Sequence, residues 1–197
     1  MIQSSAALPS LLQAHVRHTG AQILSGVLTF VGGVLTIALL AQIAIPLSFT
    51  PVPITGQTLG VALIALLFGR FRAVTAVAGY LGLGALGLPF FAETAMGAGF
   101  GPTAGYLVGM LAASFMMGHM ADAGFAKTFR GSLFTALIGS VTIFAFGLAA
   151  LSFYVPNSAL FAWGLYPFIP GDIVKILIAA VIASSVAKSQ TTKSGVV

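Results

Sequence analysis

Long apolar runs, broken by short polar or proline-rich stretches, dominate the chain. Six stand out, at about 21–45, 57–69, 71–90, 102–121, 131–154 and 171–187. A hydrocarbon core of ~30 Å asks for about 20 apolar residues per helix, and only the second run falls well short. Pro46 closes the first run, and the proline-rich SFTPVPIT, residues 48–55, follows it. Arg70 and Arg72 separate the second run from the third. A glycine-rich stretch, 92–101, precedes the fourth, and an aromatic, proline-containing stretch, 155–170, precedes the sixth. The pattern predicts an all-α membrane protein of six transmembrane helices in one integral membrane domain. Residues 1–20 form an N-terminal segment, 21–187 the six-helix core and 188–197 a tail.

Composition agrees. Charged residues make up 6% of the chain and hydrophobic ones 58%, where a soluble domain carries about 25% charged residues. The charges add an orientation. Arg17 is N-terminal, Arg70 and Arg72 lie between runs two and three, Lys127 and Arg130 between four and five, and Lys188 and Lys193 at the end. Six crossings put all seven on one side. By the positive-inside tendency that side is the cytoplasm, so both termini are cytoplasmic in a multi-pass inner-membrane protein. The formal net charge of +5 is explained this way. No basic patch interleaves with aromatics, so nucleic acid is not a partner; membrane lipid is. Residues 1–20 lack the apolar core and cleavage site of a signal peptide.

Candidate chemistry is sparse. There is no cysteine, hence no thiolate metal site, and no His/Asp/Glu group has metal-ligand spacing. Gly82, Gly84 and Gly87 spell G-x-G-x-x-G inside an apolar run, without the preceding strand a dinucleotide site needs. It reads as helix packing. So do Gly101, Gly105, Gly109 and Ala113, and Gly131, Thr135 and Gly139, whose spacing brings backbones close inside the chain. No phosphate loop is present. An aspartyl hydrolase would need a second carboxylate near Asp172, and Glu93 and Asp122 are not placed for that. No catalytic residue, metal or cofactor is expected.

One cation is out of place. Lys175 sits in the sixth run, three residues after Asp172, and Pro170-Gly171 opens that helix. The spacing puts both on one helix face. Asp172 falls in the first turn, which favours a carboxylate. A lysine at mid-membrane depth costs about 2.5–3.5 kcal/mol, which Asp172 offsets in part, and ionisable residues there usually mark a pathway or site. The alternative is an ion pair that only fixes the helix, or a lysine reaching for the surface. Trp163, Tyr166, Phe90, Phe91 and Phe100 in the outward stretches supply an apolar wall. Thr55 and Gln57 open the second run.

Four segments read together extend this. PVPITGQTLG (51–60), GYLGLGALGLPFFA (79–92), GFGPTAGYLVG (99–109) and FIPGDIVKILIAA (168–180) resemble the BioY family, the biotin-binding S components of energy-coupling-factor (ECF) transporters. The resemblance covers about 41–187. It implies high-affinity biotin capture on the outer side, with uptake energised by two ABC-type ATPases and a transmembrane coupling protein. A self-sufficient biotin or vitamin transporter without an ATPase module is the alternative. It also implies that Asp172 accepts a ureido N–H and Lys175 donates to a ligand oxygen. The expected binding set is Asp172, Lys175, Gln57, Thr55, Glu93, Thr94, Gly99, Thr103, Tyr106 and Trp163.

Overall fold

The computed structural model describes residues 19–92 and 101–194. The chain forms α1 (Thr19–Ala41), a two-stranded antiparallel pair β1 (Ala44–Ile45) and β2 (Ile54–Thr55), α2 (Gln57–Ala85), α3 (Ala104–Asp122), α4 (Phe129–Leu151), the short α5 (Leu160–Gly164) and α6 (Ile169–Ser194). Single 3₁₀ turns, Phe125–Lys127 and Tyr166–Phe168, precede α4 and α6. Among the described residues, five helical segments are long and apolar enough to cross a membrane. The architecture is helical, as expected, with two differences. The first helix stops at Ala41, and Ala44 and Ile45 pair with Thr55 and Ile54 in a strap that closes the proline-rich stretch on itself. The second and third apolar runs are one element, α2.

That element is broken at Gly69, where φ is 76° and ψ is −177°. Gln57 Nε2 donates to the Tyr80 hydroxyl, 23 residues on. A straight helix would separate those residues by roughly 34 Å, so the chain doubles back. Gly33 on α1 confirms the reversal, because its α-carbon faces both Ile64 and Ala76, on either side of the corner. No loop is needed, because a glycine can hold a backbone conformation that side chains exclude. Arg70 N, the first amide of the returning arm, donates to Asp122 Oδ2 at 3.1 Å. A carboxylate at a helix start satisfies an orphan N–H and suits the dipole.

Packing is inverted relative to a soluble protein. Leu39, Phe71 and Leu86 are exposed, while the interior is rich in alanine, glycine and hydroxyl residues. The small-residue rows pack within the chain. A Cβ on Gly105 would lie 2.4 Å from the Phe146 carbonyl oxygen of α4, and one on Gly109 3.0 Å from Ile143 Cα. In the G-x-G-x-x-G stretch only Gly84 packs, against the Phe91 ring. Gly82 faces open space and Gly87 takes a positive φ of 93° just past α2. On α1, the face with Thr29, Gly33, Ile37 and Ala41 is turned inward.

The two ends of the bundle differ. At one end the α2 corner, the end of α3 and the start of α4 come together, carrying Arg70, Arg72, Asp122, Lys127 and Arg130. The Arg70 guanidinium lies 5.5 Å from the Phe115 ring centre. At the other end the strap, α5 and the start of α6 meet.

Candidate functional site

The first arm of α2, from Gln57 to the corner, is only about 18 Å long, well short of ~30 Å of hydrocarbon. The strap folds in over its N-terminus, and a cavity lies beneath. Its empty volume, open mouth and the solvent there included, is about 760 Å³. The strap contributes Val52, Pro53 and Thr55, the first arm Gln57 and Thr58, and the stretch after α2 Phe91 and Ala92. Thr103, Tyr106, Leu107 and Met110 come from the start of α3, Ser140, Ile143 and Phe144 from α4, and Phe168, Asp172 and Lys175 from the α6 region.

Asp172 and Lys175 both face this space, yet they are not an ion pair. Lys175 Nζ donates to the Thr55 carbonyl oxygen at 3.0 Å and to Thr58 Oγ1 at 2.8 Å. Ser140 Oγ donates to Asp172 Oδ2. Among the described residues no contact within 4.0 Å joins the two charges. The expected direct compensation within one turn of α6 is replaced by partners on three other elements, β2, α2 and α4. An ammonium has three donors and a carboxylate two acceptor oxygens. Lys175 therefore keeps one N–H, and Asp172 keeps Oδ1.

A second network is set beside the first. Thr55 Oγ1 donates to Gln57 Oε1 at 2.9 Å, and Gln57 Nε2 donates to Tyr80, which is fully buried and meets the Phe91 ring edge-on at 5.5 Å. This fixes the Gln57 amide and leaves it one N–H. Thr103 Oγ1 is buried with no partner. The wall is thus mainly apolar, with one anionic acceptor, two N–H donors and one free hydroxyl in view. A smaller cavity lies behind, sharing Thr58, Ser140, Ile143, Asp172 and Lys175 and adding Ala62, Met117, Ala136 and Ile176.

Of the expected residues, Asp172, Lys175, Gln57, Thr55, Thr103 and Tyr106 all line the cavity. Glu93, Thr94, Gly99 and Phe100 lie outside the described residues. Trp163 does not line the cavity. It is half-buried on α5, and its carbonyl oxygen accepts from Thr50 Oγ1 at 2.8 Å. Tyr166 is exposed and stacks on Phe161, and Phe90 is half-buried beside the core. The aromatic wall is instead Phe91, Tyr106, Phe144 and Phe168. Sequence reasoning missed Thr58, Tyr80, Ser140, Phe144 and Phe168. A single serine or threonine in an apolar helix carries no mark of its partner, so only the approach of α4 and the α2 arms to α6 reveals these.

Tyr106 has a structural duty as well. Its hydroxyl donates to the Gly164 carbonyl oxygen at 2.7 Å, tying α3 to α5. A Cβ on Gly147 would sit 2.3 Å from its ring. Tyr106→Phe keeps the wall but strands a buried carbonyl, and is expected to cost about 1–2 kcal/mol of stability. Thermal melts in detergent would read this as a lowered midpoint; an unchanged midpoint would mean water replaces the hydroxyl.

The sequence profile described as the BioY family matches residues 13–192. The biotin transporter BioY of Thermotoga maritima is 37% identical over 156 residues, covering 78% of this chain and 90% of that one. The biotin transporter BioY of Rhizobium etli is 34% identical over 170 residues, covering 81% and 91%. The corresponding protein of Rhodobacter capsulatus is 36% identical over 162 residues, covering 74% and 83%. Among solved structures, the S-component for biotin from an ECF-type ABC transporter superposes with a TM-score of 0.78. It is 26% identical and is matched over 87% of this chain and 95% of its own.

Proposed function

This chain belongs to the BioY family, and from that premise we propose that it captures biotin in the cavity beneath the strap and serves its uptake across the cytoplasmic membrane. It is a membrane transport protein, and catalysis has no part in the proposal. The observation that carries the site is the split pair, with Asp172 and Lys175 each holding one hydrogen-bond position open in an otherwise apolar wall. Biotin's ureido ring carries two N–H groups and one carbonyl. Asp172 Oδ1 accepts one N–H, and Lys175 and Gln57 donate to the carbonyl. Charge-assisted bonds of this kind are about twice as strong as neutral ones. Phe91, Tyr106, Phe144 and Phe168 enclose the apolar body. Thr103 is the remaining hydroxyl on offer, and a ligand contact from Glu93, Thr94 and Gly99 rests on the family resemblance alone.

The two arms of α2 count as separate crossings in this reading, so the chain makes six traverses. The cation-bearing end is cytoplasmic, as are both termini, and the strap and cavity face outward. Uptake is energised by a transmembrane coupling protein and ABC-type ATPases, with this chain as the S component. The relative that supports this is the S-component of an ECF-type transporter.

The test is a thermal-shift screen of vitamins on purified protein. Biotin at 100 times its Kd adds about 2.7 kcal/mol to the folded state, so biotin should raise the melting midpoint where other vitamins do not. No shift with biotin would sink the reading. Biotin uptake by cells lacking every such ATPase module would replace the ECF reading with self-sufficient transport.

A further inference from the structure

We infer that Ser140 is a positioning residue that holds Asp172 away from Lys175, so that both charges stay available to the ligand; this rests on the biotin-site reading above.

Hydroxyls in the helices of this protein mostly bond back to their own helix. Thr29, Thr36, Thr75 and Thr142 each donate to the carbonyl four residues earlier, and Ser114 and Ser184 to the one three earlier. That is the ordinary outlet for such a side chain in an apolar helix. Ser140 departs from it and reaches across from α4 to Asp172 Oδ2 on α6. Both residues are buried, at 9% and 8% exposure, so the bond is made where an unpaired oxygen is costly.

Lys175 is restrained on the other side. The Thr55 carbonyl and Thr58 hydroxyl draw its ammonium toward the strap and the first arm of α2. The i, i+3 spacing of Asp172 and Lys175 would otherwise let them meet. In that arrangement each charge satisfies the other, and neither retains its position toward the cavity. Two oxygens hold the cation and one hydroxyl holds the anion, so Ser140 is the single restraint on the carboxylate. Its loss frees Asp172 Oδ2, and the nearest strong donor on the same helix face is Lys175. The charges then close on each other and the ligand must break an ion pair to bind.

The test compares Ser140→Ala with Ser140→Thr, which keeps the hydroxyl. Biotin binding by Ser140→Ala should weaken about tenfold or more, the worth of a hydrogen bond to a charge. Its ligand-free melting midpoint should be unchanged or raised, because a new ion pair forms, and Ser140→Thr should bind biotin almost as the parent does. A purely structural serine predicts the opposite split, a lowered midpoint with near-normal binding, and that result overturns the proposal. Should the alanine variant not fold, Ser140→Cys, of similar size and a weak donor, is judged by the same two readouts. A ligand-free double-mutant cycle gives an answer independent of biotin. Melts of Asp172→Asn, Lys175→Met and the double variant should show little coupling in the parent background and clear stabilising coupling in the Ser140→Ala background. Equal coupling in both backgrounds overturns the separation. Failure of the parent protein to bind biotin would remove the transport reading while this cycle still decides the role of Ser140.

Discussion

Asp172→Ala and Lys175→Ala are each expected to abolish measurable biotin binding while leaving a folded monomer in detergent. In the proposed site each charge contacts the ligand from a wall that offers no substitute of the same sign among the described residues. Removing Lys175 takes away the only ammonium among the described residues lining the cavity, and removing Asp172 takes away the only carboxylate among them. A lost charge-assisted bond is worth about 1.5–3 kcal/mol. The stranded ligand group adds to that, because buried sites built for a polar group reject an unpaired one strongly, so a loss of 100-fold or more is roughly the scale. Folding should survive, because the pair does not hold the helix through mutual contact, and Ser140 and Thr58 can turn back to their own helix carbonyls. Binding by isothermal titration and oligomer state by size exclusion check the two halves separately. If both variants bind as the parent does, the pair is structural and the site lies elsewhere.

The second large effect is expected at the α2 corner. A Cβ on Gly118 of α3 would lie 2.4 Å from Arg70 Cα and 2.6 Å from Arg70 N, both backbone atoms that cannot rotate away. Overpacking of this kind costs about 1–3 kcal/mol. Gly69→Ala adds a steric penalty of about 1–3 kcal/mol for a side chain at φ 76° and ψ −177°. Gly118→Ala and Gly69→Ala should each lower the melting midpoint by roughly 2–12 °C, at about 2–4 °C per kcal/mol for a chain of this size. Gly82→Ala serves as the control, because nothing lies within 4 Å of its Cβ position, and its midpoint should not fall. A Gly118→Ala protein as stable as the parent would mean that α3 does not pack at the corner. The first arm would then be free to extend, and the space beneath the strap would be lost.

The corner also shows where sequence reading was strong and where it stopped. The apolar runs 57–69 and 71–90, with Arg70 and Arg72 between them, already implied a reversal, because two cations at mid-span are too costly for one straight crossing. The reversal is made without a loop, through one glycine and a cap from Asp122 on another helix. Nothing in the local sequence names Asp122 as that cap. The strap was legible only as a proline-rich break, since the pairing of Ala44 with Thr55 depends on α1 and α2 lying side by side.

At the site the division is similar. Asp172 and Lys175 announce themselves, because an ionisable pair in an apolar helix has few explanations. Gln57, Thr55, Thr103 and Tyr106 followed from motif resemblance. Trp163 lies off the cavity lining, on α5, where its carbonyl oxygen accepts from Thr50; from sequence, an aromatic in an outward stretch fits a pocket wall and a packing role equally well. The partners of the charges could not be read at all. Ser140 is 32 residues from Asp172, and Thr58 is 117 from Lys175. Such contacts depend on helix rotation and depth, which period and composition leave free.

Residence in a membrane, the number of apolar runs, the separation of seven cations from the apolar runs and the ionisable pair on one helix are readable from residue order alone. Those conclusions follow from the cost of charge and open backbone in hydrocarbon, which acts residue by residue. That the pair is held apart follows from helix packing and not from residue order. That outcome depends on which hydroxyl and which carbonyl reach each charge first, a matter of ångströms between helices far apart in the chain.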